Sequence, residues 1–216
     1  MIAVVVVVLI GVALAAAIVI SRRSSDEAYV VSEQDQGPPG TVISSGDTEL
    51  GTVSAADTAL APYDGTSPDL AVGLVPPELT GQDFAGAPVS ITDDGEPKVV
   101  MFLAHWCPHC QREVPKVQSW LDANGMPAGV SLYAVPTATA EGRDNYPPSQ
   151  WLLGKNWTVP VLVDDAAGAA ATAWGLHSYP YFVAVGPDGT VVKRASGELS
   201  EAEFYALVDA ARSGGS

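Results

Sequence analysis

Residues 99–115 read VVMFLAHWCPHCQREVP and contain both cysteines of this 216-residue chain. The run at 98–104 is rich in apolar, β-forming residues, which predicts a strand buried on both faces. From residue 107 to about 122, apolar residues recur at helical spacing, and Gly125 is suited to end that helix. The sequence therefore predicts that the two cysteines lie where a buried strand leads into a helix.

The rest of the C-terminal half also alternates between strand and helix patterns. In order, these predict a strand at 88–91 (PVSI), a buried strand at 129–136 (GVSLYAVP), a short helix at 147–157, an extended piece at 158–165 (TVPVLVDD), a small helix at 166–176, a hairpin at 181–197 that turns at Pro187-Asp188-Gly189, and a last helix that Ser200 and Glu203 begin as a capping box. No internal repeat is present. This order predicts an α/β fold with a central sheet of mixed direction and helices on both faces.

The N-terminal segment is uniformly apolar. From Ile2 to Ile20, nineteen residues carry no charge, which is about the length that spans a bilayer as a helix. We therefore expect residues 1–21 to form a transmembrane anchor, with a cleaved signal peptide as the alternative. Arg22 and Arg23 follow the span, and by the positive-inside rule they oppose an extracytoplasmic C-terminal domain. A truncated or wrongly chosen start would remove a basic leader and so account for this conflict.

The segment after the anchor is acidic and lacks a sustained period. Between Ser24 and Pro97 there are fourteen Asp and Glu and no Lys or Arg, within a chain of net charge −15. This charge excludes nucleic acid as a partner, because phosphate binding needs clustered basic side chains. We expect a flexible acidic linker over 22–73, a folded domain over 74–212 and a short tail over 213–216.

The Cys-x-x-Cys spacing fits several kinds of site. A structural zinc needs four Cys or His ligands, but His105 and His109 lie too close in sequence to the cysteines, which leaves only His177. Covalent haem needs a histidine directly after the second cysteine, where Gln111 stands. A purely structural disulfide would close a very small loop and stabilise the fold little. We therefore predict a redox dithiol with no metal and no other cofactor.

The position of the pair at a helix start fits exchange chemistry. Cys107 at the N-terminus would have its thiolate stabilised by unpaired amides and the helix dipole, and Pro108 suits the first turn. Cys110, one turn later, is placed to attack a mixed disulfide at Cys107. His109 would favour the thiolate further if cationic or donating to sulfur; alternatively, it is exposed and neutral. For His105 we expect a solvated side chain with no role.

The same stretch resembles the active-site strand and helix of the thioredoxin-like superfamily, with Trp106 before the first cysteine and Glu113 and Pro115 inside the helix. WGLHSYPYFVAVGPDGTVVKRASGELS (174–200) is similar to the second half of that fold. PELTGQDFAGAPVSI (77–91) resembles the leading hairpin of membrane-anchored TlpA/ResA-type thiol-disulfide oxidoreductases, whereas the dipeptide Pro108-His109 between the cysteines resembles that of DsbA-type oxidases. The resemblance covers about residues 74–211 and implies a thioredoxin-like fold.

The resemblance also implies roles for single residues. Pro180 would be a cis-proline, and the Tyr179 backbone would pair with an extended substrate segment. Pro115 would kink the active-site helix. Many thioredoxins bury an acidic residue where this chain has Met101, so Glu113 or water would have to move the proton of the resolving thiol.

Taken together, these features predict a membrane-tethered, extracytoplasmic thiol–disulfide oxidoreductase that acts on protein thiols and disulfides and is recycled by a membrane redox partner. His109 favours oxidation or isomerisation of secreted proteins. The TlpA/ResA resemblance favours the alternative, a reductant of apocytochrome c cysteines. A redox-inert binding or copper-handling module remains a further alternative. A peroxidase fits less well, because Cys107 lacks a surrounding Pro/Thr-rich motif.

Overall fold

The computed structural model describes residues 49–55 and 58–214. The elements in chain order are β1 (Ser54–Ala55), β2 (Leu79–Gln82), β3 (Pro88–Ile91), β4 (Lys98–Leu103), α1 (Pro108–Asn124), β5 (Ser131–Pro136), α2 (Pro148–Leu153), α3 (Ala169–Ala173), β6 (Tyr181–Val185), β7 (Val191–Ser196) and α4 (Glu201–Ser213). Within these ranges, no helix is both long and apolar enough to cross a bilayer. The anchor predicted at 1–21 lies outside the described residues.

The central sheet has four strands in the order β5-β4-β6-β7. Strand β4 pairs in parallel with β5, which it reaches through α1, and antiparallel with β6, which forms a hairpin with β7. The extended piece predicted at 158–165 runs beside β5, where Leu162 N donates to Ala134 O over 3.0 Å. The mixed-direction sheet is therefore observed, and the carboxyl end of its central strand leads directly to the cysteines.

Strand β4 is buried along its whole length, as its apolar composition predicts. Because side chains alternate between the faces of a strand, its residues enter two separate cores. Val99, Met101 and Leu103 pack with the apolar faces of α1 and α4, whereas Val100 and Phe102 pack with residues of α3 and of strands β2 and β3. Helices thus lie on both faces, and one face is completed by β-structure.

Helix α1 positions the dithiol. Cys107 is its N-cap residue, with extended backbone angles, and Pro108 is its first residue, where a missing N–H costs no helical bond. Pro115 lies inside the helix and cannot donate a hydrogen bond to the preceding turn. The chain leaves the helix at Gly125, whose φ of 77° is a left-handed value that suits glycine.

The domain begins earlier than the predicted residue 74. Strands β1, β2 and β3 form an antiparallel sheet, and residues 58–73 run along the domain surface. Leu60 N donates to Ala173 O and Tyr63 N donates to Gly175 O, both over 2.9 Å, and Leu60 is buried. The prediction of a flexible linker is therefore wrong for residues 58–73.

A buried ion pair fastens this segment. Arg194 of β7 donates to Asp69 through two nitrogens and to Ala61 O over 2.8 Å, with its side chain almost fully buried. The sequence did not predict that residues 58–73 are ordered, because their apolar residues follow no helix or strand period. Its few anchors bond to backbone and side chains that lie more than a hundred residues away.

Candidate functional site

The two cysteines differ in burial. Both thiols are free; Cys107 is 6% exposed and Cys110 is fully buried. Gln111 N donates to Cys107 O over 3.0 Å, which closes the first turn of α1 between them. Cys107 is thus the outer sulfur, at the helix N-terminus, and Cys110 is the inner one. The predicted position of the pair, at the start of a helix and one turn apart, is therefore observed.

Cys110 is held in its protonated form. Burial raises the pKa of its thiol far above the usual range, with smaller contributions from Cys107 and Glu113. The backbone N–H of Ala104 donates to its Sγ over 3.5 Å, which acts in the opposite direction but does not offset burial. Cys110 therefore needs a proton acceptor before it can attack as a thiolate.

Glu113 lies one turn further along the buried side of α1. Burial raises the pKa of this carboxyl, although Leu199 N donates to its Oε1 over 2.9 Å. Its Oε2 has no hydrogen-bond partner among the described residues, and Lys116 Nζ is 3.6 Å away. Met101, in the strand position where many thioredoxins carry an acid, is buried among apolar side chains. Glu113 is thus a buried acid with one oxygen left to exchange a proton.

His105 is buried, so the expectation of a solvated side chain is wrong. Its Nδ1 donates to Asp144 O over 2.7 Å, and its Nε2 accepts from Ala140 N over 3.1 Å. These two bonds require the neutral ring with the proton on Nδ1, and burial lowers the pKa of His105. The imidazole therefore ties the 137–147 loop to the start of the dithiol segment.

Trp106 and the proline loop form the rim beside Cys107. Trp106 Nε1 donates to Ala138 O over 2.8 Å, and its ring meets the Tyr179 ring edge-on at 5.8 Å. The Tyr179–Pro180 peptide is cis. Burial raises the pKa of Tyr179 to about 12. The structure thus brings together Trp106, Tyr179 and Pro180, which the sequence analysis named as separate elements.

An open depression adjoins this rim. It has a volume of about 260 Å³ and is lined by Thr137, Ala138, Tyr179, Leu176 and small residues of the α3 region. The depression is therefore shallow. An extended chain lying along the Tyr179–Pro180 loop would meet mainly backbone and small side chains there.

A charged cluster lies on the solvent side of α1, and it consists of His109, Arg112, Lys116 and Glu198. Glu198 Oε1 accepts from Arg112 Nη2 over 2.6 Å and lies 2.9 Å from His109 Nδ1, and Lys116 Nζ donates to its Oε2 over 2.7 Å. Hydrogen bonds from Arg112 first, then from Lys116 and His109, hold the pKa of Glu198 far below its usual range. Glu198 is thus a counter-ion to three basic groups beside the dithiol.

Sequence reasoning identified His109 but missed its three neighbours. Arg112 and Lys116 follow it at helical spacing, so their shared face could have been read from the pattern. Glu198 is 89 residues from His109, and only its place after Gly197, before the last helix, set it apart. In the part of the chain that the structure describes, no group of acidic, His and Cys residues could hold a metal ion.

Curated relatives and solved structures resemble this domain. The sporulation thiol-disulfide oxidoreductase A of Bacillus subtilis (strain 168) is 23% identical over 126 residues, which cover 58% of this chain and 74% of that protein. The thioredoxin domain of a thiol-disulfide oxidoreductase from Bacteroides vulgatus superposes with a TM-score of 0.50 at 22% identity, covering 65% of this chain and 96% of that one.

A thiol:disulfide interchange protein from a Bacteroides species gives the same TM-score of 0.50 at 23% identity, covering 65% of this chain and 89% of that one. At such identities these structures establish the thioredoxin-like fold. The sequence model of the AhpC/TSA family matches residues 72–194, which is more than half of the chain and includes the strand, the dithiol helix and the proline loop. The protein therefore belongs to the AhpC/TSA family.

Proposed function

We propose that this protein is a membrane-tethered, extracytoplasmic thiol–disulfide oxidoreductase that acts on other proteins through Cys107 and Cys110. The observation that carries the proposal is the asymmetry of the pair: an outer sulfur at a helix N-terminus and a fully buried sulfur one turn later. A helix N-terminus favours a thiolate, and burial disfavours one. The similarity to a curated thiol-disulfide oxidoreductase supports the same chemistry.

In the oxidising direction, a substrate thiolate attacks the Cys107 sulfur of a Cys107–Cys110 disulfide. The Cys110 sulfur leaves and takes up a proton, and a mixed disulfide joins substrate and Cys107. A second substrate thiolate then attacks the substrate sulfur of that bond and releases Cys107. The substrate loses two electrons and two protons, which the dithiol gains, and a membrane redox partner would remove them again.

The reverse direction depends on Cys110. To resolve a mixed disulfide at Cys107, the buried thiol must lose its proton, and Glu113 is the buried group with a raised pKa beside it. A base whose pKa is close to the working pH transfers protons most effectively. We assign the proton transfer to Glu113, because Met101 supplies no carboxylate from the strand.

Substrate binding is assigned to the rim around the proline loop. An extended substrate segment would pair with the Tyr179 backbone and lie across Trp106 and the shallow depression beside it. The small lining residues favour contacts to substrate backbone over contacts to large side chains. This arrangement suits a range of protein substrates.

Two candidate roles, oxidant and reductant, differ in the direction of electron flow between the dithiol and its substrate. His109 favours an oxidant of secreted proteins, but its bond to Glu198 offsets a positive charge and so favours a reductant of apocytochrome c cysteines. The equilibrium with glutathione separates them. A potential near that of DsbA, roughly −120 mV, would support the oxidant, and one near that of thioredoxin, roughly −270 mV, would support the reductant.

Trapping of mixed disulfides tests the function itself. Cys110→Ser removes the resolving thiol but keeps the outer one, so we expect this variant to accumulate covalent complexes with cellular proteins that dissolve on reduction. Cys107→Ser is the matched control and should trap far fewer, since its remaining thiol is buried. Absence of complexes with Cys110→Ser would contradict the exchange function.

The location is tested by labelling. Intact cells are reduced and treated with a membrane-impermeant thiol reagent, and we expect the full-length chain to be labelled at Cys107. Labelling only after lysis would instead support the cytoplasmic domain that Arg22 and Arg23 favour.

A further inference from the structure

In the charged cluster, one ring nitrogen of His109 lies within hydrogen-bond distance of two side chains. His109 Nδ1 lies 2.9 Å from Arg112 Nη2 and 2.9 Å from Glu198 Oε1. A guanidinium only donates and a carboxylate only accepts, so Nδ1 cannot satisfy both. If Nδ1 carries a proton it bonds to Glu198, and if it is bare it accepts from Arg112. Glu198 is therefore the acceptor for a proton on Nδ1, and its negative charge lies directly against the ring.

The same carboxylate also neutralises Arg112. Arg112 donates to Glu198 through Nε over 2.9 Å and Nη2 over 2.6 Å, and Lys116 donates to the second oxygen over 2.7 Å. The pKa of Arg112 is raised mainly by Glu198 and, to a smaller extent, by Cys107. The guanidinium is thus electrostatically coupled both to this carboxylate and to the outer sulfur.

The backbone holds Glu198 rigidly beside the dithiol. On one side, Gly197 N donates to Pro180 O over 2.8 Å; on the other, Leu199 N donates to Glu113 Oε1 over 2.9 Å. Ser200, two residues further on, forms the capping box of α4 with Glu203. The segment is therefore fixed by the proline loop, by the buried acid of α1 and by a helix start. Its carboxylate does not depend on a flexible tether for its position.

We propose that Glu198 is a positioning residue that sets the redox poise of the Cys107–Cys110 pair by holding and neutralising His109 and Arg112. The proposal rests on the proposed exchange function. It assigns to a residue 91 positions after Cys107 a role that the CPHC motif alone would give to His109.

The sign follows from electrostatics. Positive charge near Cys107 stabilises its thiolate, and a stabilised thiolate stabilises the reduced protein, which makes the couple more oxidising. Glu198 places a negative charge among the basic groups and reduces this effect. The protein should therefore be less oxidising than a CPHC motif with an unpaired histidine.

The test is the equilibrium of the purified protein with glutathione, in which the dithiol and oxidised glutathione give the protein disulfide and two reduced glutathione molecules. Glu198→Gln keeps the shape of the side chain and removes its charge. We expect this equilibrium to shift about tenfold toward the protein dithiol, or about 30 mV toward a more oxidising potential. The ultraviolet absorbance of the Cys107 thiolate at neutral pH should rise with it.

Glu201→Gln is the matched control, because Glu201 begins the adjacent helix, accepts a hydrogen bond from Asn124 and makes no hydrogen bond or ion pair with the described residues of the cluster. It removes the same charge and should leave the equilibrium near that of the wild type. Arg112→Gln should shift the equilibrium in the opposite direction from Glu198→Gln, since it removes positive charge near the sulfur.

The outcomes separate the two hypotheses. If the wild type equilibrates with glutathione but Glu198→Gln behaves like Glu201→Gln, the role of Glu198 is wrong and the exchange function stands. If the wild type does not equilibrate at all, both are wrong. A shift in the same direction for Glu198→Gln and Arg112→Gln would also contradict the electrostatic account, because a structural disturbance would then explain both.

Discussion

On its inner side, helix α1 carries Cys110 and Glu113 away from water, whereas on its outer side it presents His109 and Arg112 to solvent around Glu198. Burial raises the pKa of both inner groups and so favours their neutral forms. Hydrogen bonds from the basic groups lower the pKa of Glu198 and so favour its charged form. The inner side of α1 therefore favours neutral groups and the outer side favours charged ones. Cys107 lies at the N-terminus of the helix, next to both sides.

The two sides of α1 are expected to affect different properties of the dithiol: the inner side its reaction rate and the outer side its redox potential. On the inner side a proton must enter or leave a buried group, which limits how quickly the second thiol reacts. On the outer side the field of exposed charges changes the relative stability of thiolate and disulfide but adds little to folding. We therefore expect inner substitutions to change rates and stability and outer substitutions to change the potential.

The largest effect is expected for Glu113→Gln. This variant cannot accept a proton from Cys110, so the resolution of a mixed disulfide should slow by about 100-fold. The measurement is the release of a labelled peptide from a preformed mixed disulfide with Cys107. The potential should change much less than the rate, because Glu113 acts on proton transfer to the buried thiol.

The same variant tests the raised pKa through stability. The folded pKa of Glu113 lies above its usual value of 4.5, so the folded state keeps the proton longer than the unfolded state. Stability should therefore fall as the pH rises from 4.5 through the folded pKa, and Glu113→Gln should lose this fall. An unchanged resolution rate, together with an unchanged pH profile, would show that water takes the role assigned to Glu113.

A smaller effect is expected for His105→Ala. The substitution leaves Ala140 N and Asp144 O without their partners and should lower the free energy of unfolding by about 2 kcal/mol. Denaturant unfolding measures this change. The matched control is His177→Ala, which removes an exposed imidazole and should change the stability little.

The pH dependence distinguishes a buried histidine from a merely bulky side chain. The folded pKa of His105 is lowered, so the unfolded state takes up a proton first, and stability should be lost as the pH falls below 6.5 through the folded pKa. His105→Ala should lack this loss, while His177→Ala should retain it. Equal acid sensitivity in all three proteins would contradict the burial of His105.

The smallest effect is expected for Lys116→Gln. Its side chain is 41% exposed, and its ammonium pairs with Glu198 over 2.7 Å and lies 3.6 Å from Glu113, so water replaces most of what these pairs contribute to folding. The denaturant midpoint should remain within error of the wild type. A large loss of stability would show that the outer cluster is structural, and the comparison between the two sides would have to be abandoned.

Local sequence signals account for most of the framework. The buried run at β4, the proline at the start of α1, the Pro-Asp-Gly turn between β6 and β7 and the Ser200–Glu203 box each depend on residues close together in the chain. The predicted helix at about 107–122 is observed at Pro108–Asn124, and the capping box is present. Such signals are readable because their physical cause lies within a few residues.

The errors share the opposite property. His105 was predicted to be solvated, but its partners lie 35 and 39 residues away in the loop that covers it. Residues 58–73 were predicted to be flexible, but Arg194 and the α3 region bind them across more than a hundred residues. Segments with few apolar residues show no helix or strand periodicity in the sequence. Their order becomes visible only through the distant residues to which they bind.

The sequence by itself determined that a dithiol stands at the start of a helix behind a buried strand, because strand and helix periods, a proline and the cysteine spacing are all local. Only the tertiary structure decided which sulfur is buried, which acid lies beside it and which carboxylate faces His109. These properties depend on burial and on charges from distant parts of the chain, which local patterns do not record. Glu198 illustrates this most clearly, since a residue far along the sequence completes the charge environment of Cys107.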